Sequence, residues 1–147
     1  MRYPVVLMES RQYSIELFAH VFRALSDETR LRIVRLLLHA DAGLCVCELV
    51  SALELPQYQV SRHLGVLKTA GLVHVERKGT WSYYRMAHDE LIEPLIEGLA
   101  KSFGPLTSDY TGDLQRLDRR LSLRADGLCV VGFVESSELQ QTPVSSK

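Results

Sequence analysis

Two short segments with helical apolar spacing, Val46, Leu49, Val50 and Leu53, then Val60, Leu64 and Leu67, are separated by little more than Leu55-Pro56. The residue before a proline avoids helical angles, and proline is tolerated in the first turn of the helix it opens. The spacing therefore predicts a helix ending near Glu54, a tight turn, and a second helix from about Gln57 to Ala70, stopped by Gly71. Two helices joined this way describe a helix-turn-helix. The next residues constrain the fold further. Leu72 to Arg77 reads as a strand, Lys78-Gly79 as a turn, and Thr80 to Met86 as a returning strand rich in β-forming side chains. The product is a two-stranded β-hairpin with a basic tip.

Helices are expected on both sides of this unit. Ile15, Phe18, Val21, Phe22 and Leu25 mark a first amphipathic helix from about Ser14. Ser26 is the expected N-cap of the next, Asp27 to His39, with Asp27 and Glu28 at the positive end of its dipole and Arg30, Arg32 and Arg35 largely outside. Asp41-Ala42-Gly43 ends it. After the hairpin, Leu91, Ile92, Leu95, Ile96 and Leu99 predict a fifth helix capped by His88 or Asp89; Pro94 requires either a later start or a bend. Tyr110, Leu114, Leu117 and Leu121 predict a sixth, from about Ser108 to Leu123. The Ser- and Gln-rich end from Glu135 is expected to be disordered.

A length of 147 residues suits one domain with appended structure. No stretch resembles a signal peptide or reaches membrane-spanning length, so the expected setting is cytoplasmic, with no membrane partner. Three cysteines in a reducing compartment give no disulfide framework and point to free thiols, a metal site or redox chemistry. Cys45 and Cys47 fall at the start of the first helix of the helix-turn-helix. Residues two apart on an ideal helix point about 200° away from each other, so a ligand that takes both thiols is expected to distort that helix. The plain alternative is that they are small buried hydrophobes.

The net charge of −1 excludes a globally basic nucleic-acid binder. Local charge is different. Between Gln57 and Arg85 stand Arg62, Lys68, Arg77, Lys78 and Arg85 against the single acid Glu76, a net of +4. On this reading Gln57, Gln59, Ser61, Arg62 and His63 face base edges in the major groove of double-stranded DNA, while Arg77 and Lys78 reach phosphates. Trp81, Tyr83 and Tyr84 support the hairpin and core. A thiol enzyme would need a partner histidine or acid at motif spacing or a phosphate-cradling loop, and the sequence offers neither. The expectation is a protein that is not an enzyme.

Phe22-Arg23-Ala24-Leu25-Ser26-Asp27-Glu28-Thr29-Arg30-Leu31-Arg32-Ile33, then Leu44-Cys45-Val46-Cys47-Glu48-Leu49, Ser61-Arg62-His63-Leu64 and Tyr84-Arg85 resemble the ArsR family of winged-helix repressors. The resemblance spans roughly Leu17 to Ser102, and the Cys-Val-Cys is similar to the arsenic-responsive branch. It implies a mainly α (α+β) winged helix-turn-helix, dimeric through its first and fifth helices; the extra C-terminal helix and tail read above lie beyond it. It implies a homodimer that needs no cofactor to bind operator DNA and is released by As(III) or Sb(III).

The arsenite pattern in that family has a third cysteine three residues after the second, where this chain has Val50. Cys129 is the remaining thiol, as a third ligand or as a small residue packed among Leu128, Val130 and Val131. The family's zinc site on the terminal helix is not carried over, because the fifth helix lacks a spaced histidine pair. Thiol oxidation, or cadmium, lead or zinc, would use the same cysteines. The expected organisation is an arm over 1–13, a DNA-binding and dimerisation domain over 14–103, a C-terminal helix with the Cys129 segment over 104–134, and a tail over 135–147.

Overall fold

The computed structural model describes residues 14–104 and 112–134. The elements run in order α1 (Ile15–Leu25), α2 (Glu28–His39), β1 (Leu44–Cys45), α3 (Val46–Leu53), α4 (Gln57–Thr69), β2 (Val73–Lys78), β3 (Trp81–Met86), α5 (Glu93–Phe103) and α6 (Asp113–Leu121). The fold is the expected one: mostly helical, with a helix-turn-helix in α3 and α4 followed by a β-hairpin wing. The expected arm over 1–13, the tail over 135–147 and Tyr110 lie outside the described residues.

The apolar periodicities become one core. Ile33, Leu36, Leu49, Leu64, Leu67 and Leu72 are completely buried. Each such side chain stabilises the fold by about 1.5–3 kcal/mol through area removed from water. The helix-turn-helix packs against α2, and α4 also meets α1 and the start of the wing. Pro56 caps α4 in extended geometry, and Glu54 ends α3 in a left-handed conformation (φ 54°, ψ 42°).

Several boundaries differ from the sequence expectations. Ser26 closes α1, and Asp27 caps α2 by accepting from the Arg30 amide at 3.0 Å, because a carboxylate three residues ahead of a free N–H is a strong acceptor. The wing turn is Gly79-Thr80, one residue later than expected, since Lys78 pairs with Trp81. The hairpin is also wider. Leu44 and Cys45 pair antiparallel with Tyr84 and Tyr83, giving a three-stranded sheet in the order β1-β3-β2. Gly43 makes this entry possible. Its φ is 85°, and a Cβ there would stand 3.0 Å from Arg85 Cγ.

Pro94 is accommodated by a late start, with α5 beginning at Glu93. The described part of the last helix is shorter than expected, Asp113–Leu121, and it is firmly attached. Arg32, expected outside, turns inward and holds the buried Asp113 through both carboxylate oxygens at 2.8 Å, while Arg116 joins from the same helix at 2.9 Å. Arg30 is likewise folded back, donating to the Ala24 carbonyl. Arg116 Nε reaches the Ala52 carbonyl at 2.7 Å, so α6 is fixed to α2 and α3 together. Among the described residues no helix is long and apolar enough to cross a membrane.

Candidate functional site

The pairing of β1 with β3 decides the geometry of the thiols. Cys45 lies opposite Tyr83 and is extended (φ −75°, ψ 157°), so it is the N-cap of α3 and not a residue within it. Cys47 sits in the first turn of α3. The expectation that one ligand must distort a helix to reach both sulfurs is therefore overturned, because the chain changes from strand to helix between them. Cys129 arrives from the segment beyond α6, where a turn closed by Ala125 and Leu128 leads back to the sheet. Its amide donates to the Tyr83 hydroxyl at 2.9 Å.

The three sulfurs lie within 4.8 Å of one another, and all three residues are buried. Cys47 Sγ and Cys129 Sγ are 3.6 Å apart, with every thiol free. Four thiolates held about 2.3 Å from a zinc ion stand roughly 3.8 Å from each other. The cluster is thus close to the spacing a soft ion requires, within one chain and without unfolding any element. Trp81 packs over this cluster.

Sequence reasoning missed the charged residues that hold it. Glu48, 1% exposed, accepts from the Cys45 amide at 2.9 Å and from Arg124 Nε and Nη2, each at 2.7 Å. Arg124 also donates to the Gly43 carbonyl at 2.8 Å and lies over the Tyr83 ring. The spacing of Cys45 and Glu48 is that of a capping box, the one local signal that could have found Glu48. Arg120, equally buried, donates from Nη2 to the Val131 and Gly132 carbonyls.

These neighbours share out the thiol protons. Cys47 is drawn down to about 6 by a hydrogen bond from Cys45 and by the Arg120 guanidinium, against the opposing effect of burial. Cys45 is pushed far above the ordinary thiol range by that same hydrogen bond and by burial. Burial and the charge on Cys47 push Cys129 up to about 11. Of the three thiols, Cys47 is the one most readily ionised.

On α4, Gln57, Ser61 and Arg62 are exposed, Gln59 is half-buried, and Tyr58, not anticipated from sequence, is 71% exposed beside them. His63 corrects the expected DNA-facing row. It is 8% exposed, with Nδ1 3.2 Å from Arg30 Nη1 and 3.9 Å from Asp27, and burial lowers its pKa. The signal was present: His63 stands three residues after Val60 and four before Leu67, on the apolar stripe. Arg77 and Lys78 are exposed at the wing tip, whereas Tyr83 is buried and serves the thiol cluster.

A helix-turn-helix followed by a hairpin wing places the chain in the winged helix-turn-helix class of transcriptional regulators, which lay one helix along a DNA groove. Residues 27–75 match the profile described as bacterial regulatory protein, arsR family. The arsenic resistance transcriptional regulator ArsR1 of Pseudomonas putida is 45% identical over 82 residues, 54% of this chain and 62% of that protein. The arsenical resistance operon repressor of Bacillus subtilis is 36% identical over 95 residues, 65% of this chain and 90% of the relative. A cadmium resistance transcriptional regulatory protein CadC homolog of Staphylococcus aureus is 37% identical over 79 residues, 54% and 64% of the two chains. Among solved structures, the homodimeric winged helix-turn-helix domain Mb0332 of Mycobacterium bovis aligns with a TM-score of 0.53 and 28% identity, covering 63% of this chain and 85% of that one. The chain belongs to the ArsR family of transcriptional regulators.

Proposed function

We propose that this repressor binds operator DNA as a homodimer and is released when arsenite or antimonite is taken by Cys45, Cys47 and Cys129. The observation that carries the reading is the convergence of three buried thiols within 4.8 Å at the first turn of α3, the helix that leads into the recognition helix. Trivalent arsenic and antimony are soft and favour three thiolates, and relatives of this chain are named for arsenical resistance. DNA contact is assigned to Gln57, Gln59, Ser61 and Arg62 on α4 and to Arg77 and Lys78 on the wing. Self-association is assigned to α1 and α5; Ile15 (82% exposed) and Phe22 (55%) on α1 are large apolar side chains that a partner would cover. The relative named for cadmium supports a second reading, in which a soft divalent ion fills the same sulfurs.

The test is a fluorescence anisotropy titration under reducing conditions, using a duplex the protein selects from a randomised pool. Arsenite is expected to release the wild-type chain. Cys45→Ser, Cys47→Ser and Cys129→Ser are expected to bind the duplex and resist release. Variants that release as the wild type does would remove the cysteines from the mechanism, and a panel of arsenite, antimonite, cadmium, lead and zinc identifies the inducer.

A further inference from the structure

The thiols are already together, so filling them need not bend α3, and the coupling between ligand and fold has to come from elsewhere. Arg120 offers it. This residue of α6 is 1% exposed, and its guanidinium donates through Nη2 to the carbonyls of Val131 and Gly132. Among the described residues its Nε and Nη1, both buried, meet no hydrogen-bond partner. The Val131 carbonyl it holds also lies 3.2 Å from Cys129 Sγ and 3.9 Å from Cys47 Sγ. Glu48, the nearby carboxylate, is taken up by Arg124 and the Cys45 amide. Through the Val131 carbonyl, Arg120 is joined directly to Cys129 and Cys47 of the thiol cluster.

We propose that Arg120 reads the charge of the filled site, keeping its seat beside a soft divalent cation and losing it to a trivalent metalloid. The inference rests on the three cysteines being the ligand set. Three thiolates around a divalent ion carry a net charge of −1, which matches the guanidinium. Three thiolates around As(III) carry none. Arsenous acid gives up its three hydroxyls as three waters, with protons from the thiols and from solution, and three As–S bonds replace three As–O bonds without any change of oxidation state. A buried guanidinium that has lost its counter-charge is strongly destabilised. It then lets go of the 131–132 carbonyls and loosens α6 from α3, the first helix of the DNA-reading motif. A ligand shifts a conformational equilibrium only through such a difference in preference.

The experiment compares arsenite and cadmium affinity of the full chain, by competition against a small dithiol chelator, in wild type, Arg120→Gln and Arg120→Lys. Arg120→Gln is expected to shift the ratio of the two affinities toward arsenite by about tenfold or more, and Arg120→Lys to leave it within about threefold of wild type. A purely structural role would weaken both ions alike, and a ratio unchanged in Arg120→Gln overturns the proposal. Hydrogen exchange on the wild type gives an answer independent of how the variant folds. Arsenite is expected to speed exchange of the α6 amides by about tenfold, cadmium to leave it unchanged, and equal protection with both ions overturns the proposal. Failure of the ligand set has a different signature: neither ion binds, or binding survives Cys45→Ser.

Discussion

Replacing Glu48 by leucine removes a carboxylate that is 1% exposed and accepts three hydrogen bonds, two from Arg124 at 2.7 Å and one from the Cys45 amide at 2.9 Å. The Arg124 side chain is only 10% exposed, so its charge would be left largely out of water without a counter-charge. Taking one member from a buried pair typically costs about 3–5 kcal/mol. That is a large part of the roughly 5–15 kcal/mol that separates a domain from its unfolded state. Glu48→Leu should therefore lower the stability of the chain by about 3–5 kcal/mol. Glu48→Leu with Arg124→Met, which removes both charges and keeps the volume, should recover more than half of the loss. The assay is urea unfolding at fixed protomer concentration, followed by the single tryptophan, Trp81, which packs against the cysteine cluster. A loss below about 1 kcal/mol in the single variant, or a double variant no more stable than the single, would refute the buried-pair reasoning, for it would mean that Arg124 escapes to water.

The ready ionisation of Cys47 predicts opposite pH dependences for the two proposed classes of inducer. With Cys47 at about 6 and Cys129 at about 11, arsenous acid must take one proton from solution to leave as three waters. Arsenite affinity should then fall about tenfold per pH unit from pH 6.5 to 8.5, whereas cadmium, which displaces two thiol protons, should bind up to about a hundredfold tighter per unit; arsenite affinity that rises with pH in the competition assay contradicts the assignment. Arg62→Ala should weaken binding to the selected duplex and reduce the slope of log K against log salt by about one, if the side chain contacts phosphate, or relax preference at one base position, if it reads a base edge; no change in either measurement takes Arg62 out of the interface. Asp27→Ala should destabilise α2 by about 1 kcal/mol at neutral pH through loss of its cap. The amide of Arg30 holds the Asp27 carboxyl below its usual value of 3.8, so this contribution is present above that pH and disappears as the pH falls through the folded value. Urea midpoints of the two proteins that stay equally far apart down to pH 2 would contradict it.

Apolar spacing of three and four residues, the Leu55-Pro56 break and the alternating residues around Gly79 placed the helix-turn-helix and its hairpin, because each signal acts within a turn or two of backbone. The local excess of basic side chains marked the face proposed to read DNA by the same kind of short-range evidence. His63 was legible too, on its helix stripe, and was set on the wrong side because its chemistry suits a base edge as well as it suits Arg30 and Asp27. The cap of α2 falls on Asp27, one residue later than the expected Ser26, because both side chains can accept from a free N–H and only the amide geometry of Arg30 resolves which does.

The sequence by itself determined which thiols exist, that Cys45 and Cys47 adjoin the first helix of the motif, and that Val50 stands where a third might have been. Only the tertiary structure decided that they form one cluster. Cys45 is pulled out of the helix by pairing with Tyr83, and Cys129 reaches Cys47 from 82 positions away because Arg32 and Arg116 hold α6 in place while Arg120 and Arg124 tie the chain that follows it. Strand pairing and buried ion pairs join residues distant in sequence and leave no periodic trace along it. Local spacing fixes elements, and burial of charge, which needs partners from several of them at once, fixes the site.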